Sequence, residues 1–80
     1  MKTLKQIYKE NRDVRESEIP SEWKGSFNKF MLGSACLVET NEDGSVKEFI
    51  YYNIDFRQWY NINKSAIERD EKIDKIIKQL

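Results

Sequence analysis

Between Glu48 and Tyr60 the apolar period of this chain changes. Through Phe49, Ile50, Tyr51 and Tyr52 the residue types are those that fit a pleated, half-buried strand. From Asp55 onward Phe56, Trp59 and Tyr60 recur at i, i+3 and i+4, the spacing of one helix face. A strand therefore hands over to a helix, and both deliver large rings to one place. This handover constrains the fold more than any other stretch, because more than half of the aromatic residues lie in it. The chain has 80 residues, 39% hydrophobic and 35% charged, so it is read as one domain spanning residues 1–80. At that size a single core leaves only a small margin of net stability, and rings that bury roughly 150–250 Å² each must supply much of it.

The remaining elements are expected around that handover. Leu4, Ile7 and Tyr8 lie on one side of a short amphipathic helix over residues 3–12, with Thr3 as its cap. Residues 13–19 show no period and run into Pro20, so they read as a connector. Ser21 is a candidate N-cap with Glu22 beside it. Trp23, Phe27, Phe30 and Met31 then give the core stripe of a second helix over residues 22–32. Gly25 inside that stripe suggests close packing, and Gly33 suits the position just past the helix end.

Residues 34–40 alternate loosely, and Asn41-Glu42-Asp43-Gly44 is a hairpin turn signature leading into a second strand over residues 45–52. Asn53 or Asp55 can cap the next helix, which the Asn61-Ile62-Asn63 break ends. Ser65 with Glu68 forms a capping box for a last helix over residues 66–79. In it Glu68, Asp70 and Glu71 read as a solvated face, with Glu68–Lys72 and Glu71–Lys75 pairs, and Ile73, Ile76, Ile77 and Leu80 form an apolar stripe. The sequence thus predicts a small α+β domain of helix, helix, β-hairpin, helix and helix, with the helices packed on a two-stranded antiparallel hairpin. Phe49, Phe56 and Trp59 are expected to be buried against Trp23, Phe27 and Phe30.

Composition excludes several chemistries. The chain has no His and one Cys, so Ser-His-Asp and Cys-His catalysis and the usual Cys/His zinc site cannot be assembled from it. Three isolated glycines make no phosphate-cradling loop. Asp55 could be a buried acid, but a helix cap explains it without chemistry. The expectation is a non-enzymatic protein with no catalytic residues, no cofactor and no metal. Cys36 lies in an apolar run and reads as a small buried hydrophobe. With no apolar leader, no membrane-length stretch and no disulfide pair in the sequence, a cytoplasmic protein without a membrane partner is expected.

Fourteen basic residues balance fourteen acidic ones, which removes the global attraction to nucleic acid. What remains is interaction with another protein. A lone hairpin has two unpaired edges, and strand addition from a partner or from a second copy would satisfy them. The contact is expected from whichever of Tyr51, Tyr52, Arg57, Trp59 and Tyr60 the core leaves exposed, since such residues dominate interface hot spots. A homodimer would use an edge strand or the stripe Ile73, Ile76, Ile77 and Leu80. In a phage or mobile element, the same reading becomes an inhibitor of a host protein. The alternative is a small nucleic-acid-binding protein that uses the basic first helix, with Lys2, Lys5, Lys9 and Arg12, and the same tyrosines.

Overall fold

The computed structural model describes residues 2–79, with side chains as far as Glu71. Three α-helices and a three-stranded antiparallel sheet follow one another as α1 (Leu4–Glu10), β1 (Val14–Arg15), α2 (Ser21–Met31), β2 (Leu37–Thr40), β3 (Val46–Tyr51) and α3 (Asn53–Gln79). The α+β class is as expected, but the arrangement differs in two respects.

First, the sheet has three strands rather than two. Its order is β1-β3-β2, so β3 is central. The expected connector supplies β1, where Val14 pairs with Tyr51 and Arg15 with Ile50, and a short 3-10 helix follows over Glu16–Glu18. Two residues have no period to detect. They are held in place because Val14 is fully buried and because β3 would otherwise keep an unpaired edge.

Second, the two expected C-terminal helices are one. Asn61-Ile62-Asn63 does not interrupt α3, because both asparagines find partners without breaking the helix. Asn63 Nδ2 donates to the carbonyl of Trp59 one turn back at 2.9 Å, and Asn61 Oδ1 accepts from the Tyr8 hydroxyl at 3.1 Å. The buried stripe continues from Phe56 through Trp59 and Tyr60 to Ile67, so the core face is unbroken across the suspected break. The expected stripe at Ile73, Ile76, Ile77 and Leu80 and the pairs with Lys72 and Lys75 fall outside the described side chains.

Several local expectations agree with the structure. Thr3 caps α1 in a reciprocal box with Gln6. Asn41 and Ser45 close the hairpin turn, with Gly44 at φ 88°, and Gly33 adopts φ 83° just after α2. Others do not. Helix α2 begins at Ser21, whose hydroxyl makes no cap hydrogen bond. The residue preceding it is Pro20, whose carbonyl accepts from the N–H groups of Trp23 and Lys24. Gly25 faces open space, so close packing does not explain it.

The core is aromatic and sits where the C-terminal end of β3 meets α2 and α3. The Phe27 ring stands edge-on to Tyr51 at 4.7 Å and to Trp59 at 5.1 Å, and Trp23 meets Trp59 edge-on at 5.8 Å. Such pairs add about 0.5–1.5 kcal/mol each beyond the area they bury. Leu4 and Ile7 of α1 close the opposite side together with Ile67. The expected burial of Phe56 and Trp59 against Phe27 is observed, with Trp23 and Phe30 partly buried beside them. Phe49 is the exception. It is 38% exposed, and Tyr51, two residues on and on the same face, occupies the place expected for it.

Candidate interaction surface

The five residues expected at a contact do not form one surface. Tyr51, Trp59 and Tyr60 are buried at 7%, 1% and 1% exposure. The Trp59 indole N–H donates to Ser26 Oγ at 3.1 Å. Tyr60 stacks on Tyr8 at 4.3 Å, and its hydroxyl donates to Glu68 at 3.2 Å. Burial, followed by the charge of Glu68, pushes the Tyr60 phenol well above its ordinary value, and burial also raises that of Tyr51. Arg57 caps this stack. Its guanidinium carbon lies 3.8 Å from the centre of the Tyr8 ring, and Nη1 donates to the Tyr8 carbonyl at 2.7 Å. Of the five, only Tyr52 presents an exposed ring. The core has taken the rest because the strand-to-helix handover aims them inward.

The basic first helix is answered from within the chain. Lys2 pairs with Glu10 at 2.6 Å and Lys5 approaches Glu68 at 4.0 Å. Arg12 makes a bidentate pair with Glu18, at 2.9 and 2.6 Å, and a further bond to Glu10 at 2.9 Å. Arg12 in turn holds the Glu18 carboxyl below its ordinary range. Among the described residues only Lys9 of this group has no ion pair.

Two acids, Glu71 expected on a solvated face and Asp13 in the expected connector, join distant parts of the chain. Glu71 accepts from the backbone N–H of Leu4 at 2.7 Å and of Lys5 at 3.4 Å, so α3 caps the N-terminus of α1. Asp13 performs the reciprocal service, accepting from the N–H of Asn53 at 2.9 Å at the start of α3. Neither contact could be read from local spacing, since the partners lie 67 and 40 residues apart.

Part of the apolar surface that stays in water is on the hairpin, and the rest includes Ile54 and Ile62 on α3. Strand β2 is, with the two-residue β1, an outer strand of the sheet, and among the described residues nothing pairs with its far side. Leu37 and Val38 point to opposite faces and are 42% and 47% exposed. Val38 lies directly across from Phe49 on the face shared with Tyr51, and Leu37 lies across from Ile50 on the other. Val46 and, after α2, Leu32 are exposed as well. This surface was half visible in the sequence, which showed apolar residues on both faces of residues 34–40. Which of its residues stay exposed is set by α2 and α3, which cover only the Tyr51 end.

The outer face of the sheet also carries a charge ladder across all three strands. The Arg15 guanidinium on β1 bonds Glu48 on β3 at 3.0 Å and Glu39 on β2, and Lys47 approaches Glu39 at 3.5 Å. Ser17, through its side chain and its backbone N–H, and then Arg15 hold the Glu48 carboxyl down at about 2. Arg15 likewise lowers Glu39. Beside this ladder a shallow, open depression is lined by Glu16, Ser17, Lys24, Lys47 and Glu48. Two of its charged groups, Lys47 and Glu48, are already committed to the ladder. Cys36 is half-buried and packs against the core.

No group of three or more Cys, Asp or Glu side chains among the described residues is disposed to hold a metal ion, and no described helix is long and apolar enough to cross a membrane. No protein-family model matches the chain, and neither a curated protein nor a solved structure does.

Proposed function

We propose that the protein is a non-enzymatic, cytoplasmic protein-interaction module that binds an extended strand of its partner along the open edge of β2. The observation that carries the reading is the pairing of an unsatisfied strand edge with half-exposed apolar side chains, Leu37 and Val38, on both of its faces. An added strand would satisfy the edge N–H and C=O groups by main-chain hydrogen bonds. The alternating side chains Leu37 and Val38 would set which partner fits. The reading moves the contact from the aromatic cluster, which the core uses, to the hairpin, which the core leaves. Tyr52 is the one member of the cluster whose exposed ring could extend such a contact. The internal pairing of Lys2, Lys5 and Arg12 favours a protein partner over nucleic acid, because phosphates would have to compete with Glu10, Glu18 and Glu68 for those charges.

The test places a photo-activated cross-linking side chain at position 38, with the same group at the exposed position 62 on α3 as a control, in a nuclease-treated extract of the source cells. The reading expects a discrete protein product from position 38 and none from position 62. No product at 38, or a nucleic-acid adduct before nuclease treatment, overturns it.

A further inference from the structure

Resting on the reading of β2 as the interaction edge, we infer that the strand it takes from a partner is a basic one. The segment runs antiparallel to β2, sets two adjacent apolar residues opposite Leu37 and Val38, and carries Lys or Arg about four residues earlier, beside Glu42 and Asp43 at the hairpin tip. The charges of the hairpin divide in two. Glu39 and Glu48 are answered by Arg15 and Lys47, so the ladder is balanced within the chain. Glu42 and Asp43 are exposed and, among the described residues, have no ion pair. A cation arriving at Glu39 would compete with Arg15 and Lys47, whereas one arriving at the tip displaces no existing partner. The unbalanced charge of the edge therefore lies at the turn, and a basic segment complements it.

Asp43 is fixed as well as charged. Its Oδ1 accepts from the Ser45 hydroxyl at 2.6 Å and from the Ser45 N–H at 2.9 Å, and Oδ2 has no hydrogen bond to the described residues. The hydroxyl and then the N–H hold the carboxyl below its ordinary range, so it is ionised at neutral pH. On the other side of Glu39 the edge is apolar. Leu37 ends the row that begins with Ile50 on one face, and Val38 ends the row that begins with Phe49 on the other. An added strand continues both rows, and cross-strand pairs of aromatic and β-branched residues are the favourable ones.

The antiparallel sense follows the sheet, in which β1 and β2 both run antiparallel to β3, and antiparallel pairing is slightly the more stable per residue. In that sense the residue facing position 42 precedes the one facing position 38, so the cation comes before the apolar pair. A second copy does not supply this strand. Whichever residue of β2 an antiparallel pairing of two copies is centred on, the residues facing Glu42 and Asp43 fall within 31–38, where there is no Lys or Arg.

The test selects a displayed library of random short peptides on the intact protein and measures the enriched peptides by fluorescence polarisation. They are expected to carry Lys or Arg about four positions before two adjacent apolar residues. Val38→Lys, with its fold checked by circular dichroism, is expected to weaken them by at least about tenfold, because a charge on the edge opposes strand addition. Glu42→Gln with Asp43→Asn, which keeps the Oδ1 acceptor for Ser45, is expected to weaken them about fivefold and to remove most of their salt dependence. Peptides with Gln in place of their cations should bind both proteins alike. If binding needs Val38 but the peptides lack the cation, carry it after the apolar pair, or bind the Glu42→Gln/Asp43→Asn protein equally well, the basic partner is overturned and the edge reading stands. A photo-cross-linked product of twice the chain mass from position 38 has the same meaning. No enrichment, or peptides indifferent to Val38→Lys, overturns both.

Discussion

Phe49 and Tyr51 lie on the same face of the same strand, one strand period apart, and their fates differ. Tyr51 is buried against Phe27, while Phe49 is more than a third exposed opposite the half-exposed Val38. Their residue types and local geometry are alike, so the difference comes from what lies above them. Helices α2 and α3 converge on the Tyr51 end, where the chain turns directly from β3 into α3, and the hairpin projects beyond them. Along the hairpin, burial therefore follows distance from the handover and not hydrophobicity. The near end of the hairpin is core, and the far end is surface that still has the composition of a core.

The strongest way to break this contrast is a pair of truncations. Trp59→Ala, which removes a fully buried ring touching Trp23, Phe27 and Phe56, is expected to cost about 3–5 kcal/mol in chemical denaturation. Phe49→Ala is expected to cost about 1 kcal/mol. Equal losses would mean that the far end is packed as tightly as the near one.

A smaller effect tests the long-range caps that hold the near end. Asp13→Ala and Glu71→Ala are each expected to cost about 1 kcal/mol. The loss should appear locally, as faster amide exchange at Asn53 in the first and at Leu4 in the second. A global loss with unchanged local exchange would show that the caps act through something other than the helix ends.

The smallest expected effect concerns pH at the outer face. The Glu48 carboxyl is held at about 2 against an ordinary value of 4.5, so its contribution to stability is complete above about pH 4.5. That contribution is lost as pH falls through about 2. In acid titrations followed by circular dichroism, the gap between the unaltered protein and Glu48→Gln should be widest above pH 4.5 and close towards pH 2. A gap that stays constant across that window would remove the Ser17 and Arg15 contacts from the account.

The same contrast explains what could be read from the sequence. Elements that depend on near neighbours were legible: the Thr3–Gln6 box, the Asn41–Gly44 turn, the left-handed Gly33, and the Phe27 and Phe56–Trp59 stripes. Elements that depend on distant partners were not. Val14 and Arg15 form a strand only because Ile50 and Tyr51 need one. Asn61 sits within a continuous helix with its Oδ1 accepting from the distant Tyr8 hydroxyl. Tyr51, Trp59 and Tyr60 were rightly marked as the centre of the chain, and for that reason they are unavailable to a partner. The exposed edge residues Leu37 and Val38 carry no composition that distinguishes them from core. Only the extent of the helices above them does.

The bond between Leu4 and Glu71 joins residues 67 positions apart, and this sets an order of assembly. As the chain is synthesised, α1 emerges first with Gln6 already answered by Thr3, but its Leu4 and Lys5 amides wait for an acid that comes late. The hairpin and the start of α3 can form on a growing chain, whereas the first turn of α1 locks only once α3 has extended as far as Glu71. The first helix made is thus expected to be the last one fastened. Pulse-labelled exchange during refolding checks this, with protection at the Leu4 amide arriving in the slowest phase; protection in an early phase would reverse the order.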